Sequence, residues 1–401
     1  TFWYLGDVAG ARRELEKALQ TLGSPETDDA AAALNWLATI RLDEGDPDGS
    51  VQAAERALGI AKRTGNRTEL EFAINNLGWT EAVRGRWEIG VVYILQQLEL
   101  HQGGGSPYDY GNALDDASAH YTLFLPDYPK ALRYGEKAIE IAQRIGNRPA
   151  EIRWRLHRGW TLRDMGRWDE AEREAKAILS LAEEESYDTM IPWIRLLRGQ
   201  IAGFRGDTAE AERYIREAQE SSDREVWWRL HFAGHAYAAL AWNCAEGGDR
   251  QGARVAITDG FAASTKHKCR WCGDLISVAG AWVEAMAPGG DELRFEEATS
   301  NVRAWGTSAA KALVAAAEAR WSRFHDRPSE GRLEGARSYF QRIKKPFDLA
   351  AVIHEHGLTL IALGKTAEGS ALIEEALQIF VELGAKGRAE EILRGKKLLK
   401  A

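Results

Sequence analysis

A short turn recurs along this chain at nearly constant spacing, and that recurrence restricts the fold more than any other feature. It appears as Gly6-Asp7, Gly45-Asp46, Gly85-Arg86, Pro126-Asp127, Gly166-Arg167, Gly206-Asp207, Gly248-Asp249 and Gly364-Lys365. From the first to the seventh the spacings are 39, 40, 41, 40, 40 and 42 residues. A fixed period in this range marks a repeat array, in which each unit buries its apolar face only against its neighbours. Arg158–Ala175 shows one unit: a helical pattern ending at Gly166-Arg167, then a second helix opening with Asp169 and Glu170.

Small residues keep register with the turn. Seven positions before it stand Ala38, Gly78, Ala119, Gly159, Gly199, Ala241 and Gly357. Five after it stand Ala11, Ser50, Gly90, Ala131, Ala171, Ala211, Ala253 and Gly369. Twelve after it stand Ala18, Ala57, Ala138, Ala218, Gly260 and Ala376, with Gln97 and Ile178 as exceptions. Small side chains let helix axes approach near the lower end of the ~8–10 Å packing range. The expectation is that the residues seven before each turn are buried against the partner helix.

This lattice resembles the tetratricopeptide repeat. Leu77-Gly78 and Ala241 fit its first-helix pattern, and Ala171 and Ala211 its second. The period exceeds the family's ~34 residues, so each hairpin is longer by about one and a half turns. Long-helix repeats of this type occur in large bacterial ATP-dependent regulators, including transcription activators and cyclase-linked proteins, and residues 376–393 look like the end of such an array. The resemblance implies an all-α solenoid, a right-handed superhelix of about nine antiparallel hairpins. It also implies that first helices line the concave surface.

The chain is expected to form one superhelical domain over 1–401, with a half repeat at 1–22, degenerate repeats over 264–345 and a capping helix over 385–401. Helices are expected near Thr27–Glu44, Asp48–Thr64, Arg67–Arg84 and Arg86–His101, with further hairpins at Tyr108–Ile145, Pro149–Glu183, Tyr187–Ser221 and Arg224–Ala263. Lys268–Ala287, Thr307–His325 and Arg332–Ile343 are helical in period, and Pro346–Leu383 returns to the rule. The opening residues read as the tail of a helix, so the sequence is expected to be a piece of a longer protein.

Net charge is −8, which argues against a general nucleic-acid surface. The basic end, Arg394, Lys396, Lys397 and Lys400, suits a helix C-terminus. Three cysteines give no disulfide framework, and no apolar run reaches the ~18 residues of a membrane span. A cytoplasmic location is therefore expected.

Catalytic motifs are weak. Gly364-Lys365-Thr366 lacks the preceding glycine and strand of a phosphate loop and reads as a helix–helix turn. His231 and His235 lie one turn apart without the glutamate of a metalloprotease. The tandem acids Asp115-Asp116 and Glu183-Glu184-Glu185 point in different directions on their helices and make no acid–base pair. His267, Cys269 and Cys272 are weak metal candidates: a structural zinc site wants four ligands, and only Cys244 remains among the cysteines. A packed helix is the plainer reading, and neither a bound metal, an obligatory disulfide nor any other cofactor is expected.

The tryptophans stand out: of 15, 12 fall on first helices, namely Trp3, Trp36, Trp79, Trp154, Trp160, Trp193, Trp227, Trp228, Trp242, Trp271, Trp282 and Trp321. The resemblance places the residue six before each turn in the groove: here Thr39, Trp79, His120, Trp160, Gln200 and Trp242. Nearby groove positions carry Asn35, Trp36, Asn75, Asn76, Asp116, Arg153, His157 and Arg163. Aromatic faces supply apolar area, and amide and guanidinium groups fix orientation. Core filling between long helices is the competing use of the same indoles. The expectation is a non-catalytic sensory or scaffolding module of a bacterial signalling or transcription regulator. It would bind a protein segment or regulatory partner, with an upstream domain as one candidate partner. Alternatives are a small-molecule sensor for an oligosaccharide and, further off, an α/α-toroid carbohydrate enzyme.

Overall fold

The turn chemistry explains why the hairpins form. In the computed structural model, which describes residues 8–23, 26–101, 106–222, 229–266, 268–286 and 288–400, Gly45 takes φ 79°, a left-handed conformation costly for any residue with a Cβ. The next N–H, of Asp46, then reaches back to the Arg41 carbonyl at 2.8 Å and closes the first helix. The Asp46 side chain accepts from the Gly49 N–H at 3.1 Å and caps the second helix. One dipeptide thus ends one helix and starts the next. Asp207 and Asp249 cap in the same way. At Pro126-Asp127 the aspartate still caps, accepting from the Lys130 N–H at 3.2 Å. Asn66 and Asn147 do the same at the inter-hairpin turns, accepting from the N–H groups of Glu69 and Ala150.

Among the described residues there are 20 α-helices and no strand. Helix α1 (Val8–Leu22) is followed by the pairs α2 (Asp28–Asp43) and α3 (Pro47–Thr64), α4 (Arg67–Val83) and α5 (Trp87–His101), and α6 (Pro107–Leu123) and α7 (Tyr128–Ile145). Next come α8 (Arg148–Asp164) with α9 (Trp168–Glu184), α10 (Ile191–Arg205) with α11 (Thr208–Ser222), and α12 (Arg229–Glu246) with α13 (Arg250–Lys266). The last pairs are α14 (Arg270–Ala285) with α15 (Glu292–Trp305), α16 (Ser308–Phe324) with α17 (Leu333–Ile343), and α18 (Pro346–Ala362) with α19 (Thr366–Leu383). Helix α20 (Lys386–Lys400) follows. Over 264–345, where degenerate repeats were expected, α14 to α17 form two hairpins. Helix α15, to which the sequence reading assigned no helix, starts after Asp291 caps the Arg294 N–H.

The small-residue register is buried. Gly78, Gly159, Gly199 and Gly357 lie inside their helix packing, and Ala38, Ala119 and Ala241 are fully buried. The reason is backbone contact: a Cβ on Gly357 would lie 2.7 Å from the Gly369 carbonyl oxygen, and one on Gly90 would lie 2.7 Å from that of Gly78. Gly159 differs from expectation. A Cβ there would meet Leu197 Cδ2 of α10 at 2.8 Å, so its packing surface is the next first helix rather than its own partner. Ala18 is also an exception, being exposed.

First helices pack on first helices from α6 through α18, and α2 packs on α4, while each second helix packs mainly on the first helices beside it. First helices therefore form the inner layer. The superhelix then returns on itself. The turn at Gly166 lies against Pro346 and Leu383, and the turn at Gly206 lies against Gly387. These contacts join positions about 180–220 residues apart, between four and six repeats. Trp168 meets Phe347 at 5.9 Å, and Lys345 reaches Asp164 at 3.5 Å across the same junction. Lys365 of the Gly364 turn pairs with Glu330 at 2.6 Å, which fits a helix–helix turn.

Candidate functional site

On the inner layer, α4 and α6 are the neighbouring first helices in loosest backbone contact. Long side chains span them instead. Asn75 donates to Asp116 Oδ2 at 2.7 Å and to Gln97 at 3.2 Å, and Trp79 Nε1 donates to Asp116 Oδ1 at 3.0 Å. Asn112, one turn before Asp116, donates to the same carboxylate at 2.9 Å. The side-chain oxygen of Asn112 accepts a bond from Arg153 of α8. Asp115 faces the opposite way from Asp116 and receives His157 at 2.8 Å. A continuous polar chain thus crosses α4, α6 and α8. Asn112 and Asp115 were not among the sequence-derived groove residues.

The other candidates divide by burial. Asn35 is fully buried, its amide donating to the Glu69 carbonyl at 2.9 Å and the Glu69 carboxylate at 2.8 Å. Asn76 ties its amide to the Asn35 carbonyl and accepts from Thr39, so it clamps α2 to α4. His120 is buried, its ring 4.5 Å from Trp79. Trp160 is buried against Trp193 at 5.4 Å and His157 at 5.1 Å. Arg163 is half-buried, bound to Asp164 at 2.7 Å and to Gln200 of α10. Trp242 is half-buried beside Trp282 at 5.8 Å, and Trp36 is exposed with Phe72 at its edge, 5.4 Å away. Asn75, Trp79 and Arg153 are only partly covered. Trp3, Trp227 and Trp228 lie outside the described residues.

Burial, with Asp115 beside it, pushes the Asp116 carboxyl up to about 6. Because the folded value lies above the unfolded one, folding takes up a proton between these values. The contribution is present below the unfolded value and is lost as pH rises from about 4 through about 6. His120 is pushed down to about 4 by burial, and it acts in the opposite direction over that window. Asp116→Asn should therefore gain stability relative to the parent as pH rises from 4 to 7, by on the order of 1–3 kcal/mol. Urea unfolding of both proteins across that range is the check, and a parallel pair of profiles would refute the assignment.

A second cluster forms where α12 meets α14. His231 Nδ1 lies 3.2 Å from Cys269 Sγ and 3.7 Å from Cys272 Sγ. Burial opposes ionisation of Cys269, yet the Cys272 thiol and the facing His231 hold it well below the ordinary thiol range. Burial and the neighbouring Cys269 push Cys272 up. Of the weak metal candidates, His267 lies outside the described residues, and His231 is the histidine found beside both sulfurs. His235, one turn on, packs its ring on Trp271 at 4.4 Å and is pushed down to about 3 by burial and by His231.

A cleft of about 1020 Å³ lies elsewhere, between the Gly166 and Gly206 turns and the start of α20, lined by Trp168, Arg198, Arg205, Tyr214, Leu383 and Lys386 among others. None of the inner-face candidates lines it. Its walls come from successive superhelical turns, so it records how the turns stack. Among the described residues, no helix is long and apolar enough to cross a membrane.

Residues 109–184, which make up most of α6 together with α7, α8 and α9, match the family model described as tetratricopeptide repeat. The structure is similar to a Rap protein complexed with Competence and Sporulation Factor, with 12% identity, TM-score 0.54, and coverage of 95% of this chain and 99% of that one. It is similar to NprR in complex with its cognate peptide NprX, with 16% identity, TM-score 0.56, and coverage of 84% and 98%. It is also similar to the Rap conjugation gene regulator of the plasmid pLS20 in complex with the Phr* peptide, with 11% identity, TM-score 0.56, and coverage of 93% and 96%. Identities this low show a shared fold: the chain is an all-α solenoid of the tetratricopeptide type, not an α/α-toroid. A comparison with curated protein sequences returns no match.

Proposed function

We propose that this chain is a non-catalytic regulatory scaffold whose inner face binds an extended peptide segment, as part of a bacterial signalling or transcription regulator. The observation that carries the reading is the Asn75–Asp116–Asn112–Arg153 chain bridging first helices, where the backbones of α4 and α6 are in the loosest contact. An extended peptide offers alternating N–H and C=O groups along its length. Carboxamides can donate and accept, the carboxylate accepts and the guanidinium donates, so each can exchange an internal partner for a backbone group. Trp79 adds a half-covered aromatic face beside them. The three similar proteins are each in complex with Competence and Sporulation Factor or with a peptide, and carrying that property to this chain belongs to the proposal.

The test begins with a random-sequence peptide library and an oligosaccharide panel, both screened against the wild-type chain. The selected peptide is then measured against Trp79→Ala and Asn75→Ala, with folding followed by circular dichroism. A true anchor should cost at least ~2 kcal/mol, about 30-fold in affinity. Unchanged affinity in folded variants would remove the inner-face reading. Selection of an oligosaccharide in place of any peptide would replace it with a sugar sensor.

A further inference from the structure

We propose that His231, Cys269 and Cys272 form a binding site for Zn2+ that staples α12 to α14. The three ligand atoms lie within 4.8 Å of one another. With Zn–S near ~2.3 Å and Zn–N near ~2.0–2.1 Å, tetrahedral geometry wants such atoms roughly 3.5 Å apart. The observed His231–sulfur distances of 3.2 and 3.7 Å bracket that value.

The fold builds this arrangement from two elements. Cys269 is the N-cap of α14, and its sulfur accepts the Cys272 N–H at 3.3 Å, so the two thiols share one face of the first turn. This backbone bond is the kind of outer support that orients a metal-bound thiolate. His231 comes from the neighbouring first helix, and Gly234 lets that helix come close: a Cβ there would lie 2.4 Å from Cys272 Cβ.

Charge selects the ion. Cys269 and Cys272 are buried, in an apolar cluster with Val83, Trp87, Phe124 and Trp271. Two thiolates and a neutral imidazole around a divalent ion leave no net charge in that surrounding, whereas a monovalent ion would leave one negative charge buried. The N and S donors suit Zn2+ over the oxygen-seeking ions. In the coordination step two S–H bonds are exchanged for two Zn–S bonds, the imidazole lends its lone pair, and two protons leave to solvent. Among the described residues no fourth Asp, Glu, His or Cys joins the group, so water takes the remaining position. The site also adjoins the place where superhelical turns touch. Gly85, at the α4–α5 turn, faces Arg270 at the start of α14, so the staple would brace that contact.

The experiment uses the full chain, reduced and stripped with a chelator, titrated with Co2+ as an optical stand-in and then with Zn2+. The expected result is one equivalent of Co2+ with thiolate-to-metal charge-transfer absorption and the intense d–d bands of four-coordination, all displaced by Zn2+. His231→Ala and Cys269→Ser should each weaken Zn2+ binding by more than the ~10–100-fold typical of losing an outer partner. Three results would overturn the proposal: no stoichiometric binding by the reduced wild type, Co2+ spectra without a thiolate band, or wild-type affinity in either folded variant. Where a variant does not fold, the wild-type Co2+ spectrum decides, because the charge-transfer band requires the cysteines.

Discussion

Trp160→Ala is expected to destabilise the fold by about 3–5 kcal/mol, the range for removing a fully packed tryptophan. Trp160 is only 6% exposed. Its indole belongs to a row of edge-to-face aromatic contacts that crosses the inner layer: Trp193 on α10 at 5.4 Å, then His235 on α12 at 5.3 Å from Trp193, then Trp271 on α14 at 4.4 Å from His235. Truncation would leave a cavity between helices already fixed by their neighbours, so little collapse can offset it. Urea unfolding measures the loss. A cost below ~1 kcal/mol would mean that the indole stands free of the core and is available to a ligand.

Glu355→Ala should be comparably damaging, at about 3–5 kcal/mol, because it strands buried cations. Glu355 on α18 is 1% exposed and receives Arg320 at 3.0 Å and Arg323 at 2.9 Å, both from α16. Burial opposes its charge, but the two guanidiniums outweigh it and hold the carboxyl down to about 2. A depressed carboxylate stabilises the fold above its unfolded value of 4.5, and that contribution is lost as pH falls from 4.5 through about 2. The difference between wild type and variant should thus be full at pH 7 and shrink steadily below pH 4.5. Denaturant titrations at several pH values would show it. A difference that does not change with pH would contradict the ion-pair account.

The hairpins were legible because their causes are local. A glycine that ends one helix and an aspartate that caps the next recur in sequence, and the small residues mark backbone contact between paired helices. Helix α15 was missed although Gly290-Asp291 precedes it and Asp291 caps it, because the small residues that keep register elsewhere are replaced there by Val283, Phe295 and Val302. Burial on the inner layer was not legible, because it depends on contacts between residues a whole repeat apart. Nothing local says how closely successive first helices approach, so Asn35, Asn76, His120 and Trp160 read as groove residues although side chains of the adjacent first helices cover them. A usable signal did exist. Contacts between successive first helices join residues about one repeat apart: Asn75 with Asp116, Asp115 with His157, His231 with Cys269, and Arg320 with Glu355. Pairing complementary side chains at that separation would have placed His231 beside the cysteines in advance.

Hydrogen exchange with and without the library-selected peptide tests the central claim most directly, since it maps the bound surface without altering any residue. The expected result is new protection concentrated on α4, α6 and α8, the helices that carry Asn75, Trp79, Asn112, Asp116 and Arg153, with α5 and α7 behind them little changed. Protection centred instead on the Gly166 and Gly206 turns and the start of α20 would put the ligand in the cleft between superhelical turns, and the inner-face account would be wrong.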